Sequence, residues 1–332
     1  MIERADSESI RRAAELLRAG ALVAIPTETV YGLAADASNP EAVARIFTTK
    51  GRPADHPLIV HIESALQLDD WAIDVPNGAR QLADAFWPGP LTLILKRRDS
   101  VLDAVTGGMN TVAIRVPSHP VTQEILSAFG GGLAAPSANR FGRVSPTTAE
   151  NVESDLGSDV DLIIDGGPCD IGLESTIVAW IEDQPTVLRP GAISADAIAQ
   201  VLDCDVKPST GATVRAPGML ESHYAPSTPL KLCSAESIEQ RASALAAEDL
   251  QVGVLSLEPV GAAGAKVAWH SRGDIELFAH SLYGHLRQAD SEGLDILLVS
   301  LPPETGLGVA VADRLRRAAH RGGSKARRQD GR

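Results

Sequence analysis

Residues 21–33 read ALVAIPTETVYGL. The five apolar residues 21–25 fit a short buried strand, and Pro26 stops it because proline has no backbone N–H to extend a ladder. PTETVYGL (26–33) then sets two threonine hydroxyls, a carboxylate and a phenol just past a strand end, where ligands of α/β sheets bind. A polar strand-to-helix turn, with Thr and Glu serving as caps, accounts for the same residues. Upstream, Ser7 can cap a helix whose apolar face is Ile10, Ala13, Leu16 and Leu17, with Gly20 at its end. Downstream, Asn39 caps a second helix with Pro40 in its first turn.

Further strands are predicted at 57–62, 91–96, 111–116, 133–135, 161–165, 175–181 and 186–188. Helices are predicted at 64–71, 77–86, 119–129, 147–156 and 194–202. Some strand pairs have no helix between them, so the α/β sheet is twisted and mixed rather than purely parallel. Residues 205–228, with KPSTG (207–211) and APG (216–218), have linker chemistry. Beyond them, strands at 230–233, 252–257, 266–269 and 296–300 alternate with helices at 235–247, 274–288 and 308–320. That pattern gives a smaller doubly wound, Rossmann-like α/β domain. The expected organisation is therefore a catalytic domain at 1–204, a linker at 205–228 and a second domain at 229–332.

The 332 residues suffice for two domains, and the 44% apolar content supports a sizeable core with few aromatics. A net charge of −13 argues against general nucleic-acid affinity, although a local basic site remains compatible with it. Arg314, Arg316, Arg317, Arg321, Lys325, Arg327 and Arg328 read as a solvated helix end with a frayed tail. Cys169, Cys204 and Cys233 have neither zinc spacing nor a disulfide pattern, which fits a reducing cytoplasm. No signal peptide or membrane span is expected.

Other chemistry-bearing residues recur near element ends. In KGRP (50–53), Lys50 and Arg52 can face one anion, or can compensate a helix C-terminus. His61 ends a strand, as a structural histidine or a ligand. Arg115 lies in apolar TVAIRVP (111–117), and a buried guanidinium is costly unless an anion or carboxylate meets it. This favours contact with a substrate carboxylate or phosphate. AAPSAN (134–139) combines small residues with Ser137 and Asn139. Ser145 and Thr147 open a helix whose N-terminus favours anions, or they cap it. GLESTI (172–177) and LRPG (188–191) add Ser175 and the fork of Arg189. The G-x-x-x-x-G-K-[ST] element is absent, which excludes a P-loop enzyme, and no dinucleotide fingerprint or nucleophile elbow is present.

Together with HPLIVHI (56–62), WPGPLTLIL (87–95), SPTTAE (145–150) and IIDGG (163–167), these segments resemble in order the Sua5/YrdC/YwlC threonylcarbamoyl-AMP synthases. Pro217-Gly218-Met219, His223-Tyr224-Ala225-Pro226 and the extra C-terminal domain are similar to the long Sua5 form. His56 departs from the pattern, which often has Asn there. The resemblance implies a YrdC-like first domain and a nucleotidyltransferase reaction. In it, L-threonine, bicarbonate and ATP give L-threonylcarbamoyladenylate and pyrophosphate. Other proteins then transfer the group in tRNA t6A modification. It further implies that Thr27, His61, Thr111, Arg115, Ala135 and Ser175 surround threonine. Lys50, Arg52, Ser137, Asn139, Ser145 and Arg189 would hold ATP, with His223 and Tyr224 closing over it. Lys50 and Arg52 would stabilise charge in catalysis. Mg²⁺ would arrive on the ATP phosphates, with no dedicated protein ligands. Alternatives are a carbamoyl-adenylating enzyme with another acceptor, or a non-catalytic RNA- or tRNA-binding module.

Overall fold

The computed structural model describes residues 1–208, 217 and 224–320. The chain divides into two compact units, Met1–Phe141 with Ser145–Met219, and Gly142–Val144 with Leu220–Arg332.

The strands of the first unit are β1 (Ile2–Arg4), β2 (Val23–Ile25), β3 (Gly32–Asp36), β4 (Ile59–His61), β5 (Leu91–Lys96) and β6 (Thr111–Arg115). They continue with β7 (Leu133–Ala134), β8 (Leu162–Asp165), β9 (Thr176–Ile181), β10 (Gln184–Arg189) and β11 (Lys207–Pro208). These form one 11-stranded sheet in the order β1-β8-β2-β3-β7-β4-β6-β5-β9-β10-β11. The pairing is mixed: β4 and β6 run parallel, as do β5 and β9, whereas β2/β3, β5/β6 and β9/β10 are antiparallel.

Strand alternation gives the sheet two buried faces. Leu22 and Ala24 join one core with Val43, Ile46, Leu82, Val152 and Ile198, which come from helices on that side. Val23 and Ile25 join the opposite core with Ile10, Leu17, Ile125 and Leu126 from the helices Ser7–Arg18 and Pro120–Phe129. Burial on both sides explains why residues 21–25 are continuously apolar.

Two sequence expectations are corrected in this unit. Asp6, not Ser7, caps the first helix: its Oδ1 accepts from Glu8 N and Ser9 N, while Ser9 Oγ accepts from Asp6 N, closing a capping box. The stretch after β2 is not a strand-to-helix turn. The chain reverses through residues 26–31 into β3, with Ile25 opposite Gly32 and Val23 opposite Ala34. Lys207–Pro208, within the expected linker, extends the sheet edge parallel to β10.

In the second unit, β12 (Leu230–Cys233), β13 (Val252–Ser256), β14 (Val267–His270) and β15 (Ile296–Ser300) form a parallel sheet in the order β12-β15-β13-β14. The crossovers β12→β13 and β14→β15 run in opposite directions along it. Right-handed connections then place their helices, Ala235–Ala246 and Ile275–Ser291, on opposite faces, as in a doubly wound unit. Ile238 and Ala242 of the first helix pack on Val252, Val254 and Leu298. Asp290 accepts from Ser227 N and Thr228 N where the chain enters this unit.

Arg314 corrects the reading of the C-terminal basic run as solvated. It is fully buried, pairs with Asp313 at 2.6 Å and lies over the Tyr224 ring. Arg316 and Arg317 pair with Glu304 and Asp313, while Arg321, Lys325, Arg327 and Arg328 lie outside the described residues. All three cysteines are free. Among the described residues, no helix is long and apolar enough to cross a membrane.

Candidate active site

Three segments distant in sequence meet on Tyr31. Its backbone N–H donates to Pro146 O at 2.9 Å, and its carbonyl accepts from Ala138 N at 2.8 Å. Its phenol donates to Gly167 O at 2.7 Å and accepts from Gly166 N. Leu33 N donates to Pro136 O, and Ile171 N donates to Glu28 O. The hairpin loop 26–31 is thereby tied to segments 136–138, 146 and 166–171. Burial raises the Tyr31 pKa far above the ordinary phenol value, so it acts as a neutral structural donor.

The sheet supplies the floor. His61 ends β4 directly beside Arg115, which ends β6. Because β5 and β9 lie next in order, Thr92 and Ser175 come to the same edge. By alternation, His61, Arg115, Thr92 and Ser175 share the face that carries Ile59, Ala113, Ile94, Ile177 and Ala179. The segment after Trp87 joins these strands. Gly89 O accepts from Arg115 Nε at 3.2 Å, Pro90 O accepts from Thr176 N, and Thr92 Oγ1 lies 2.7 Å from Ser175 Oγ.

Arg115 is 4% exposed, and the protein itself supplies its carboxylate. Its Nη2 lies 2.6 Å from Glu28 Oε1, and Nη1 donates to Thr29 Oγ1 at 2.9 Å. Thr27 Oγ1 donates to Val30 O at 2.7 Å, so its 2.8 Å contact with Thr29 Oγ1 takes its proton from Thr29. The two threonines therefore staple the loop and aim it at Arg115. Burial, then the Arg115 charge, push the His61 pKa down to about 3 against the favourable Ile59 carbonyl. The imidazole is thus neutral, with one ring nitrogen able to accept a hydrogen bond.

Cations occupy the remainder. Lys50, buried at the end of the helix Pro40–Lys50, donates to the carbonyls of Ser137 and Asn139. Burial, then Arg52, push its pKa well below the ordinary lysine value, whereas the two carbonyls and any approaching anion favour the ammonium. Arg52 donates to Pro57 O at 2.9 Å and lies over the Phe141 ring. Asn139 Nδ2 donates to Arg140 O, and Ser145 Oγ donates to Glu174 Oε1 at 2.7 Å. Arg189 donates through Nε to Ser175 O, through Nη2 to Ser175 Oγ and through Nη1 to Pro217 O, each at 3.0 Å.

Most sequence-named residues thus converge: Thr27, His61, Arg115 and Ser175 on one side, Lys50, Ser137, Asn139 and Ser145 on the other, with Arg189 bound to Ser175. Ala135 is buried just past β7, donating to Ile59 O. Thr111 is not brought to Arg115: it starts β6 opposite Lys96, four residues or roughly 13 Å along the strand. Tyr224 belongs to the second unit, stacked on Tyr283 at 5.9 Å. His223 lies outside the described residues. Sequence reasoning did not assign Glu28, Thr29, Thr92, Gly89 or Glu174. The signal for Glu28 was the Arg115 guanidinium itself, which demanded a carboxylate.

A mixed open sheet with a buried guanidinium–carboxylate pair beside a cluster of cations defines a small-molecule enzyme of the YrdC-like class. Residues 15–191 match the family described as "Telomere recombination", comprising Sua5, YciO and YrdC. Residues 193–320 match "Threonylcarbamoyl-AMP synthase, C-terminal domain". The chain belongs to the Sua5 family. It is 40% identical to the threonylcarbamoyl-AMP synthase of Pyrococcus abyssi (strain GE5 / Orsay) over 96% of both chains. It is 42% identical to that of Bacillus subtilis (strain 168), over 93% of this chain and 92% of the other. The solved structure of P. abyssi Sua5 complexed with L-threonine matches with a TM-score of 0.89 at 40% identity, covering 97% of each chain.

Proposed function

We propose that this chain is a threonylcarbamoyl-AMP synthase, converting L-threonine, bicarbonate and ATP to L-threonylcarbamoyladenylate and pyrophosphate. The observation that carries this reading is the division of the site. One side pairs Arg115 with Glu28 beside a neutral His61. The other gathers Lys50 and Arg52 by the Ser137 and Asn139 carbonyls, with Arg189 held on Ser175.

Arg115 receives the amino-acid carboxylate on N–H groups not committed to Gly89, Thr29 or Glu28. Neutral His61 accepts from the threonine hydroxyl. The ammonium first loses a proton, and the free amine then forms a carbamate, releasing a further proton with carbon dioxide or water with bicarbonate. A carbamate oxygen then attacks the α-phosphorus, and the bond to pyrophosphate breaks. Lys50, Arg52 and Arg189 offset the charge that develops on the departing phosphates, while the buried loop around Tyr31 fixes their positions. Among the described residues, no three His, Cys, Asp or Glu side chains are gathered to hold a metal. The donors on the phosphate side, among them Lys50, Arg52 and Arg189, are cationic or neutral; Mg²⁺ carried on the ATP phosphates would supply further charge neutralisation there. The product is a mixed anhydride, which separate proteins use for tRNA t6A modification in the cytoplasm.

Pyrophosphate release is measured from ATP and bicarbonate with L-threonine or L-serine in parallel, with mass analysis of the adenylate. Threonine-dependent release with the threonylcarbamoyl-AMP mass is expected. Release without threonine dependence from folded, ATP-binding protein overturns the reading.

A further inference from the structure

We infer that Glu28 is the receptor for the α-ammonium of the amino-acid substrate, so that Glu28 and Arg115 together select a zwitterion. This rests on the amino-acid reading of the site above and goes beyond it by assigning a residue and a charge rule. Glu28 is 4% exposed, and its Oε1 lies 2.6 Å from Arg115 Nη2. Both carboxylate oxygens are buried, and neither has a hydrogen-bond partner among the described residues beyond that ion pair.

A carboxylate that served only to neutralise Arg115 would commit both oxygens to the guanidinium fork, the strongest geometry for this pair. Leaving a carboxylate oxygen buried and unpartnered is costly. Here neither oxygen makes a hydrogen bond to the fork, while Thr29 and the Gly89 carbonyl hold the guanidinium from its other edges. Nη2 likewise has no hydrogen-bond partner among the described residues beyond that ion pair. A buried acceptor on Glu28 and a buried donor on Arg115 thus lie side by side, as ammonium and carboxylate do across one α-carbon.

Net charge points the same way. With His61 neutral, Arg115 and Glu28 sum to zero. A phosphate placed here would meet Arg115 but be repelled by Glu28, whereas a net-neutral zwitterion satisfies both. A hydroxy acid, having no cation, would leave Oε2 with at most a neutral partner.

The test compares equilibrium binding of L-threonine and 2,3-dihydroxybutanoate, in which a hydroxyl replaces the ammonium, to wild-type protein and to Glu28→Gln. The wild type is expected to prefer threonine by about 10- to 100-fold, the span of a charge-assisted hydrogen bond. In Glu28→Gln, which keeps an acceptor for Arg115, that preference falls below about threefold. Equal binding of the two ligands by the wild type overturns the inference without recourse to any variant. An unchanged preference in folded Glu28→Gln overturns it as well. L-serine and L-alanine, each with its own hydroxy acid, are run in parallel. If only these show a Glu28-dependent preference, Glu28 keeps its role and the threonine assignment falls.

Discussion

Arg115 shows what one residue in a sequence discloses. A guanidinium inside an apolar strand had to meet an anion, and the sequence reading looked to the ligand for it. The protein's own Glu28 supplies it instead, from a loop 87 positions earlier by subtraction of the two residue numbers. The demand was legible and its answer was not, because contact order is hidden from local pattern. Lys50 is similar: its charge was evident, but its hold on the Ser137 and Asn139 carbonyls depends on a long-range fold. His61 gives a prediction at this scale. Its folded pKa, about 3, lies below the unfolded value of 6.5. The unfolded chain therefore binds the extra proton between those values, and stability is lost as pH falls through that window, by about 1.4 kcal/mol per unit. His61→Gln cannot titrate. From pH 7 to pH 5 the wild type should lose about 2 kcal/mol more than this variant, read as urea midpoints. Parallel pH profiles for the two proteins would contradict it.

Elements with a strong local signature were readable. The cap Asn39, with Pro40 at the first turn and Gly51 in the left-handed conformation at the end, frames the second helix as its residues require. Strand β3 was not readable. Its sequence, GLAAD, has neither alternation nor β-branched residues, and only pairing with β2 and β7 makes it a strand. Missing β3 hid the hairpin and with it the reason Thr27, Glu28 and Thr29 project together. β1 was hidden likewise, since three residues carry no period and their strand character comes from β8. Just past the end of β10, Gly191 lets its backbone touch the chain at the start of β9. A Cβ there would lie 2.4 Å from Thr176 N and 2.7 Å from Glu174 O. Gly191→Ala must therefore separate segment 174–176 from the chain that carries Arg189. We expect a loss of about 1–3 kcal/mol by denaturant midpoint and at least about 100-fold in synthase rate. Wild-type activity in the stable variant would show that this contact does not position Ser175 and Arg189.

At the scale of the whole molecule, net charge and local charge diverge. The chain carries −13 overall, yet buries Lys50, Arg52, Arg115 and Arg189 within one unit. Composition therefore said nothing about the site. The sequence also disclosed two domains through the change from mixed to regular alternation, and each unit has a core of its own. Separate cores have a thermodynamic consequence, because cooperativity follows shared burial. Calorimetry should resolve two unfolding transitions. L-Threonine at 100 times its Kd should stabilise the transition of the first unit by about 2.7 kcal/mol, because the residues proposed to hold it lie in that unit. Leu298→Ala, which empties part of the second core, should lower the other transition by about 2–5 kcal/mol and leave the threonine-sensitive one in place. If both perturbations move a single transition together, the two cores unfold as one cooperative body. The threonine shift would then report the stability of the entire chain rather than that of the sheet bearing Arg115.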